Sequence, residues 1–229
     1  MKVSLEYDEI HSYITQFDLK RVFSEWDTIP FQLRIYEKDE VVLREGDELD
    51  GIYLLVEGQT KVTTSVETGK SLLLRFCHPL SIFGDIELIQ KVAIQSQVEA
   101  VADTRLLFVA KQTVEKRLMQ DYRFLNELLK HLSFKLQTCT SSSKINLLAT
   151  VEERFAIYLV TTRLSSGFSK EIHTLNIPEI ASLLGTTTRH LNRVIDKLSE
   201  AGILSRKRGG FVVIEGDKLN DISAGLRYE

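Results

Sequence analysis

Residues 175–214 constrain the fold of this 229-residue chain more than any other stretch, because two helical patterns and a basic hairpin follow one another there. Asn176 and Pro178 predict the start of the first helix, since an asparagine side chain can cap free backbone amides and proline suits a first turn. Gly185 predicts its end, because glycine adopts the left-handed conformation at no side-chain cost. The stretch therefore predicts two helices joined by a tight turn.

The second of these helices has one apolar face and one polar face. The apolar residues repeat with helical spacing and comprise Leu191, Val194, Ile195 and Leu198. The polar face begins at the predicted N-cap and comprises Thr187, Thr188, Arg189, Asn192 and Arg193. Arginine can donate two hydrogen bonds to guanine in the major groove, and asparagine can pair in the same way with adenine. We therefore predict that the two arginines and the asparagine read bases, and that Thr188 contacts a base edge or a phosphate.

A basic hairpin is predicted after this helix. Its strands cover 203–205 and 211–214 around the turn Lys207-Arg208-Gly209-Gly210, and the cations of this wing are Arg206, Lys207 and Arg208. We expect these cations to contact phosphates, which position a domain without reading sequence. Residues 185–210 hold six Lys/Arg against two Asp/Glu, whereas the whole chain has a net charge of −3. Positive charge confined in this way suits a sequence-specific regulator better than a packaging protein, and better than a helical domain with a merely solvated face.

Short runs of β-type residues broken by glycines occupy residues 31–110. The predicted strands cover 34–36, 40–43, 51–56, 61–64, 71–76, 98–101 and 105–109. Many strands at this spacing predict an antiparallel sandwich or roll, which can enclose a small ligand or be packed throughout. The preceding segment, 4–30, is amphipathic and is predicted to be helical.

A long helix is predicted over 122–146, after a short one at 111–120. Apolar residues with a period near 3.5 form a stripe along it: Leu125, Leu128, Leu129, Leu132, Leu136 and Cys139. Such a stripe is typical of a coiled-coil seam and predicts a homodimer, although a core helix of one subunit has a similar pattern. Thr150 and Glu153 form a capping-box pattern that starts another helix. The predicted domains are therefore 1–110, 111–148 and 149–229.

Several classes of protein are disfavoured. Only His78 of the five histidines lies in the predicted roll, so a metal-binding enzyme on that roll lacks ligands, and phosphate-loop and dinucleotide glycine motifs are absent. We expect no catalysis, metal ion or cofactor. The start of the chain lacks a signal sequence and no stretch is long enough to span a membrane, so we expect a cytoplasmic protein with reduced thiols. A redox role for Cys77 or Cys139 stays open.

Three motifs of the roll stand in a fixed order before the long helix and the helix-turn-helix. They are Glu45-Gly46-Asp47, the run from Tyr53 to Gly58, and the run from Phe83 to Leu88. With them the chain resembles the Crp/Fnr family of bacterial transcription regulators over nearly its whole length. The residues Gly84 to Ile89 together with Arg189-His190-Leu191 resemble the YeiL-like branch most.

This resemblance implies an α+β protein. It consists of an antiparallel β-roll like a cyclic-nucleotide-binding jelly roll, a long dimerisation helix and a C-terminal winged helix-turn-helix. The implied partners are an inverted-repeat operator in double-stranded DNA, a second copy of the chain and RNA polymerase. Family members that read the same groove usually have a glutamate where Arg189 stands. Their usual half-site is therefore not expected here, and guanine is expected at that step.

The resemblance also implies an effector pocket. Its candidate residues are Phe83, Gly84, Asp85, Glu87, Gln95, Ser96, Cys139 and Thr140. Members that bind cyclic nucleotide use a Gly-Glu pair for the ribose and an Arg-Ser or Arg-Thr pair for the phosphate. Gly84-Asp85 and Gln95-Ser96 stand at those places, and no Arg or Lys lies between Val92 and Thr104, so the phosphate lacks its cation. We expect an unknown effector other than a cyclic nucleotide, or none. A cyclic-nucleotide-responsive regulator is the alternative, and a roll that binds ligands or partners without touching DNA is another.

Overall fold

Two antiparallel sheets make up the β-roll in the computed structural model, which describes residues 1–65, 71–163, 167–207 and 210–228. One sheet has the strand order β1-β2-β9-β4-β7 and the other β3-β8-β5-β6. The strands are β1 (Lys2–Ser4), β2 (Gln32–Tyr36), β3 (Val41–Leu43), β4 (Gly51–Glu57), β5 (Thr60–Ser65), β6 (Ser71–Cys77), β7 (Ile82–Phe83), β8 (Gln97–Ala100) and β9 (Thr104–Ala110). The predicted strands are confirmed to within two residues, and β1 and β7 were not predicted.

Strand β4 lies inside the larger sheet, between β9 and the edge strand β7. Six consecutive residues from Gly51 to Val56 are buried. A strand covered on both faces needs apolar side chains in both directions, which explains a continuous apolar run rather than an alternating one.

The N-terminal segment corrects our prediction of helix over residues 4–30. Helix α1 (Tyr7–Gln16) is followed only by two short 3₁₀ turns, Leu19–Arg21 and Trp26–Thr28. The helix cannot continue because Asp18 adopts a left-handed conformation with φ of 51°, which is incompatible with a right-handed helix. The first residues form strand β1, which pairs with β2.

Helical segments follow strands β7 and β9 of the roll. They are α2 (Asp85–Gln90), α3 (Lys111–Lys116) and the long α4 (Tyr122–Leu148), with a 3₁₀ turn at Leu118–Gln120. Helix α4 thus ends two residues beyond its predicted limit. On one side of α4, Phe124 and Leu128 are buried in the core of the roll. On another side, Leu129 and Leu136 are exposed.

The C-terminal part of the chain is a winged helix-turn-helix. Its elements are α5 (Val151–Thr162), α6 (Gly167–Ile172), α7 (Ile177–Leu183), α8 (Thr188–Glu200), β10 (Leu204–Lys207), β11 (Gly210–Val213) and α9 (Gly216–Ile222). The Thr150–Glu153 capping box is formed as predicted. The predicted Asn176 cap is wrong in its detail: Asn176 occupies the cap position but its side chain makes no capping bond. Its backbone N–H donates to Thr174 instead, and the Thr174 hydroxyl donates to Glu179.

The chain divides into two compact units, each with its own hydrophobic core. The first comprises Met1–Ser65 and Phe76–Lys135, and the second comprises Val66–Arg75 and Leu136–Glu229. Within the second unit, the Leu73 N–H donates to the Ser182 hydroxyl at 2.7 Å. The three-part division at residues 110 and 148 stays a prediction. Among the described residues, no helix combines the length and apolar character needed to cross a membrane.

Candidate DNA-reading surface and effector pocket

Local sequence fixes the start of α8 and its orientation. The backbone of Gly185 is in the left-handed conformation, with φ of 59°, and this glycine begins the turn that follows α7. Thr187 then caps α8, since its hydroxyl accepts a hydrogen bond from the His190 N–H at 3.2 Å. The predicted apolar stripe is confirmed, because Leu191, Val194, Ile195 and Leu198 are all buried. Burial of this stripe turns the opposite face of α8 outward.

That outward face carries the side chains predicted to read DNA. Thr187, Thr188, Arg189 and Arg193 are exposed, and Asn192 is half-buried. Within the described part of the chain, neither arginine of this face forms an ion pair. Both guanidinium groups are therefore available to bases or phosphates.

The wing places a further cation beside α8. Strands β10 and β11 pair antiparallel, with Lys207 opposite Gly210 at the tip, and Lys207 is exposed. Arg206 makes a contact that the sequence did not indicate: its Nη2 donates to Asn192 Oδ1 at 2.8 Å and lies 3.3 Å from Asp196 Oδ1. The predicted phosphate contact of Arg208 falls outside the described residues.

In the first unit, the carboxylate that stands at the place of the family's ribose-binding pair already has a partner. Gly84, with φ of 86°, precedes α2, and Asp85 begins that helix. The Asp85 side chain is only 3% exposed, and its two oxygens lie 2.7 and 2.8 Å from Lys135 Nζ. Lys135 also donates to the Ile82 carbonyl at 2.9 Å, so three acceptors surround the ammonium group.

A second hydrogen bond joins two of the other predicted pocket residues of this unit. Glu87 is buried, and its Oε1 accepts a hydrogen bond from the Gln95 N–H at 3.0 Å. Phe83 is a core residue, and Ser96 is half-buried. The structure therefore brings Glu87 and Gln95 together, and the protein itself engages both acidic groups, Asp85 and Glu87.

Cys139 and Thr140 lie in the second unit, on α4. Both are exposed, and the Thr140 hydroxyl donates to the Leu136 carbonyl at 2.8 Å within the helix. Their part in an effector pocket stays a prediction. Within the described residues, no group of three or more His, Cys, Asp and Glu side chains is placed to hold a metal ion.

Two protein-family models match the chain, one in each half. The cyclic nucleotide-binding domain matches residues 33–121, and the Crp-like helix-turn-helix domain matches residues 153–222. Together they cover well over half of the sequence.

Curated relatives match across most of their own length. The anaerobic regulatory protein of Bacillus subtilis is 25% identical over 79% of this chain and 79% of the relative. The cyclic AMP receptor protein of Thermus thermophilus is 24% identical over 86% and 90%. Regulatory protein YeiL of Escherichia coli O157:H7 is 23% identical over 83% and 84%.

The chain belongs to the Crp/Fnr family. It is a DNA-binding transcription regulator with a sensor domain of the cyclic-nucleotide-binding type. YeiL is among the relatives, as the sequence motifs suggested, at an identity close to that of the other two. A solved CRP-family regulator from Thermus thermophilus has the same fold, with a TM-score of 0.68, 18% identity, and coverage of 86% of this chain and 98% of that chain.

Two contacts of this Crp/Fnr regulator were not predicted from the sequence. Lys135 was not recognised as the partner of Asp85, although it continues the i, i+4, i+7, i+11 spacing of Phe124, Leu128 and His131 along one face of α4. A lysine on an otherwise buried face indicates an internal partner, because an unpaired buried charge is costly. Arg206 was assigned to a phosphate, and no sequence signal showed that it reaches back to α8.

Proposed function

We propose that this Crp/Fnr regulator binds an inverted-repeat operator as a homodimer and does so without a cyclic nucleotide. The outward face of α8 supports the proposed DNA binding, because its arginines are exposed and have no ion pair within the described chain. The opposite face of the helix is buried in the core. The relatives named above are regulators, so the role we propose is one of binding rather than catalysis.

Exposed leucines on α4 support the homodimer. Leu129, Leu136 and Leu147 are 60%, 70% and 83% exposed and lie seven and eleven residues apart, on one face of the helix. A solvent-exposed apolar stripe of this length marks an interaction surface, and a helix seam fits a second copy of the same helix. A two-fold dimer that inserts both α8 helices into one duplex face requires half-site centres roughly 34 Å apart.

The roles within the reading surface follow from side-chain chemistry. Arg189 and Arg193 can each grip guanine bidentately, and Asn192 can pair with adenine. We propose that Thr188 contacts a base edge or a phosphate. We propose that Lys207 at the wing tip contacts a phosphate, which positions the domain without reading sequence.

Selection from a random DNA library tests this assignment. Arg193→Ala should cost about 1–3 kcal/mol on the wild-type operator and relax the preference at one base pair, and Arg189→Ala should do so at another. Lys207→Ala is the matched control, and it should weaken binding to all DNA sequences alike. It should also lower the salt slope, which is the slope of the log binding constant against log salt concentration, by about one unit. An unchanged consensus for both arginine variants would mean that α8 is not the reader.

The contact between Asp85 and Lys135 supports the effector part of the proposal. A ribose hydroxyl would have to compete for a carboxylate that an ammonium group already holds at 2.7 Å in a buried place. The phosphate of a cyclic nucleotide would in addition find no Arg or Lys between Val92 and Thr104.

Calorimetry with cyclic AMP and cyclic GMP, in the absence and presence of operator DNA, tests this part. We expect no binding at micromolar concentrations and no change in operator affinity. Micromolar binding would establish the alternative, a cyclic-nucleotide-responsive regulator. From family membership we also propose a cytoplasmic location and RNA polymerase as a further partner of the operator-bound dimer.

A further inference from the structure

The wing residue Arg206 is bonded to the reading face of α8. Its Nη2 donates to Asn192 Oδ1 at 2.8 Å, and the same nitrogen lies 3.3 Å from Asp196 Oδ1, one helical turn further along α8. Arg206 and Asp196 are partly exposed, with 46% and 60% of their side chains accessible. The contact thus lies at the surface that faces DNA.

The chemistry of this contact fixes the orientation of the Asn192 amide. A guanidinium group has only hydrogen-bond donors, so the Asn192 atom that faces it must be the carbonyl oxygen. The amide nitrogen then points away from Arg206, and one oxygen lone pair remains for a further donor. Without Arg206, the amide could turn over and offer its oxygen and nitrogen in exchanged positions. The two orientations present opposite donor and acceptor patterns to a base edge.

Charge balance separates Arg206 from a phosphate-binding cation. Its guanidinium is paired with Asp196, so the two groups together carry no net charge toward the duplex. Lys207, the next residue of the wing, is exposed and has no ion pair within the described residues. Only a cation that neutralises a phosphate releases counterions and contributes to the salt dependence of binding.

We propose that Arg206 is a positioning residue for base recognition: it holds the Asn192 amide in one orientation and thereby sets which base Asn192 accepts. Asp196 holds the guanidinium in place for this task. The inference rests on the proposed role of α8 as the reading helix and adds a specificity determinant that lies outside that helix.

The test is library selection and operator binding with the full-length protein carrying Arg206→Ala, Asn192→Ala or both changes. Arg206→Ala should lower the preference at the base pair of Asn192 by about tenfold, within the range that one bidentate contact provides. Preferences at the other base pairs and the salt slope should stay as in the wild type. The double variant should match Asn192→Ala alone, since Arg206 has nothing left to orient.

Two further variants keep the result interpretable. Asp196→Asn should reproduce part of the Arg206→Ala effect. Arg206→Lys should rescue it incompletely, because a lysine ammonium group is a strongly hydrated point charge on a flexible stem and is held in place less well than a planar guanidinium group. Thermal unfolding should show the same transition for all variants.

The outcomes that contradict the inference are distinct from one another. If Arg206→Ala weakens all sequences alike and lowers the salt slope, Arg206 is a phosphate contact and the inference is wrong, whereas the reading role of α8 stands. If Asn192→Ala itself leaves the consensus unchanged, Asn192 is not a reader, and both its proposed role and this inference are wrong.

Discussion

Asp85 and Lys135 show how single residues decide what the roll can bind. The carboxylate is almost fully buried, and the ammonium group that balances it comes from a position 50 residues later in the sequence. A buried ion pair adds little net stability compared with apolar packing, because both charges lose their hydration. Removing one partner is costly, however, since the other charge remains buried alone.

Lys135→Met should therefore destabilise the protein by about 2–3 kcal/mol, toward the lower end for buried pairs because a quarter of the lysine side chain is exposed. Adding Asp85→Asn should recover much of that loss, since the unpaired charge is then removed. Urea unfolding measures both. Lys130→Met, on an exposed part of the same helix, is the control and should change stability by less than about 0.5 kcal/mol. Equal effects of Lys135→Met and Lys130→Met would contradict this account of the pair.

Gly84 is the residue that brings Asp85 into position. It has a φ of 86°, and an added Cβ would lie 2.7 Å from Leu49 Cδ1 and 2.8 Å from the Gly51 carbonyl oxygen. Gly84→Ala should cost about 2–4 kcal/mol, from backbone strain and overpacking together. Gly46→Ala has a similar φ of 91° with nothing within 4 Å of the added Cβ, so strain alone should cost about 1–2 kcal/mol. Equal losses in denaturant unfolding would show that the close approach at Gly84 has no effect.

At the scale of elements, the buried side of α4 carries a titratable group. Burial lowers the pKa of His131; Glu127 and Asp85 raise it, and Lys135 and Lys130 lower it further. The folded protein therefore favours the neutral imidazole, while the unfolded chain gains its proton near the ordinary histidine pKa of about 6.5. As the pH falls through that value the unfolded state binds more protons, so stability falls until the folded imidazole is protonated as well.

The free energy of unfolding should thus decrease below about pH 6.5, and His131→Gln should have a smaller decrease over the same interval. The difference between the two proteins isolates this histidine from the carboxylates that titrate at lower pH. Parallel curves for the wild type and His131→Gln would contradict the lowered pKa.

At the scale of the whole molecule, the proposed homodimer predicts that operator binding depends on two copies acting together. Leu129→Glu with Leu136→Glu places charges on the exposed stripe of α4 and should give monomers in light scattering. A monomer would engage one half-site at a time, so affinity for the proposed inverted repeat should fall at least about a hundredfold. Lys130→Glu, which is equally accessible but off the stripe, should leave the dimer intact. A dimer that persists in the double variant would place the interface elsewhere.

The sequence alone determined the elements whose signals are local. The strands of the roll, the length of α4, the Thr150–Glu153 capping box and the apolar stripe of α8 all follow from residues a few positions apart. Periodicity and capping act within one element, so the burial of one face and the exposure of the other could be predicted. The N-terminal helix was overextended because no local signal marks the left-handed Asp18.

Only the tertiary structure decided which polar groups are free to meet a ligand. Lys135 reaches Asp85 across 50 positions, and Arg206 reaches Asn192 across 14. Such pairs depend on which faces of separate elements pack together and on the rotamers that the packing leaves open. The sequence predicted a carboxylate for the roll pocket and an amide for the reading face. The fold determines that the carboxylate is already paired with Lys135 and that the amide oxygen accepts a hydrogen bond from Arg206.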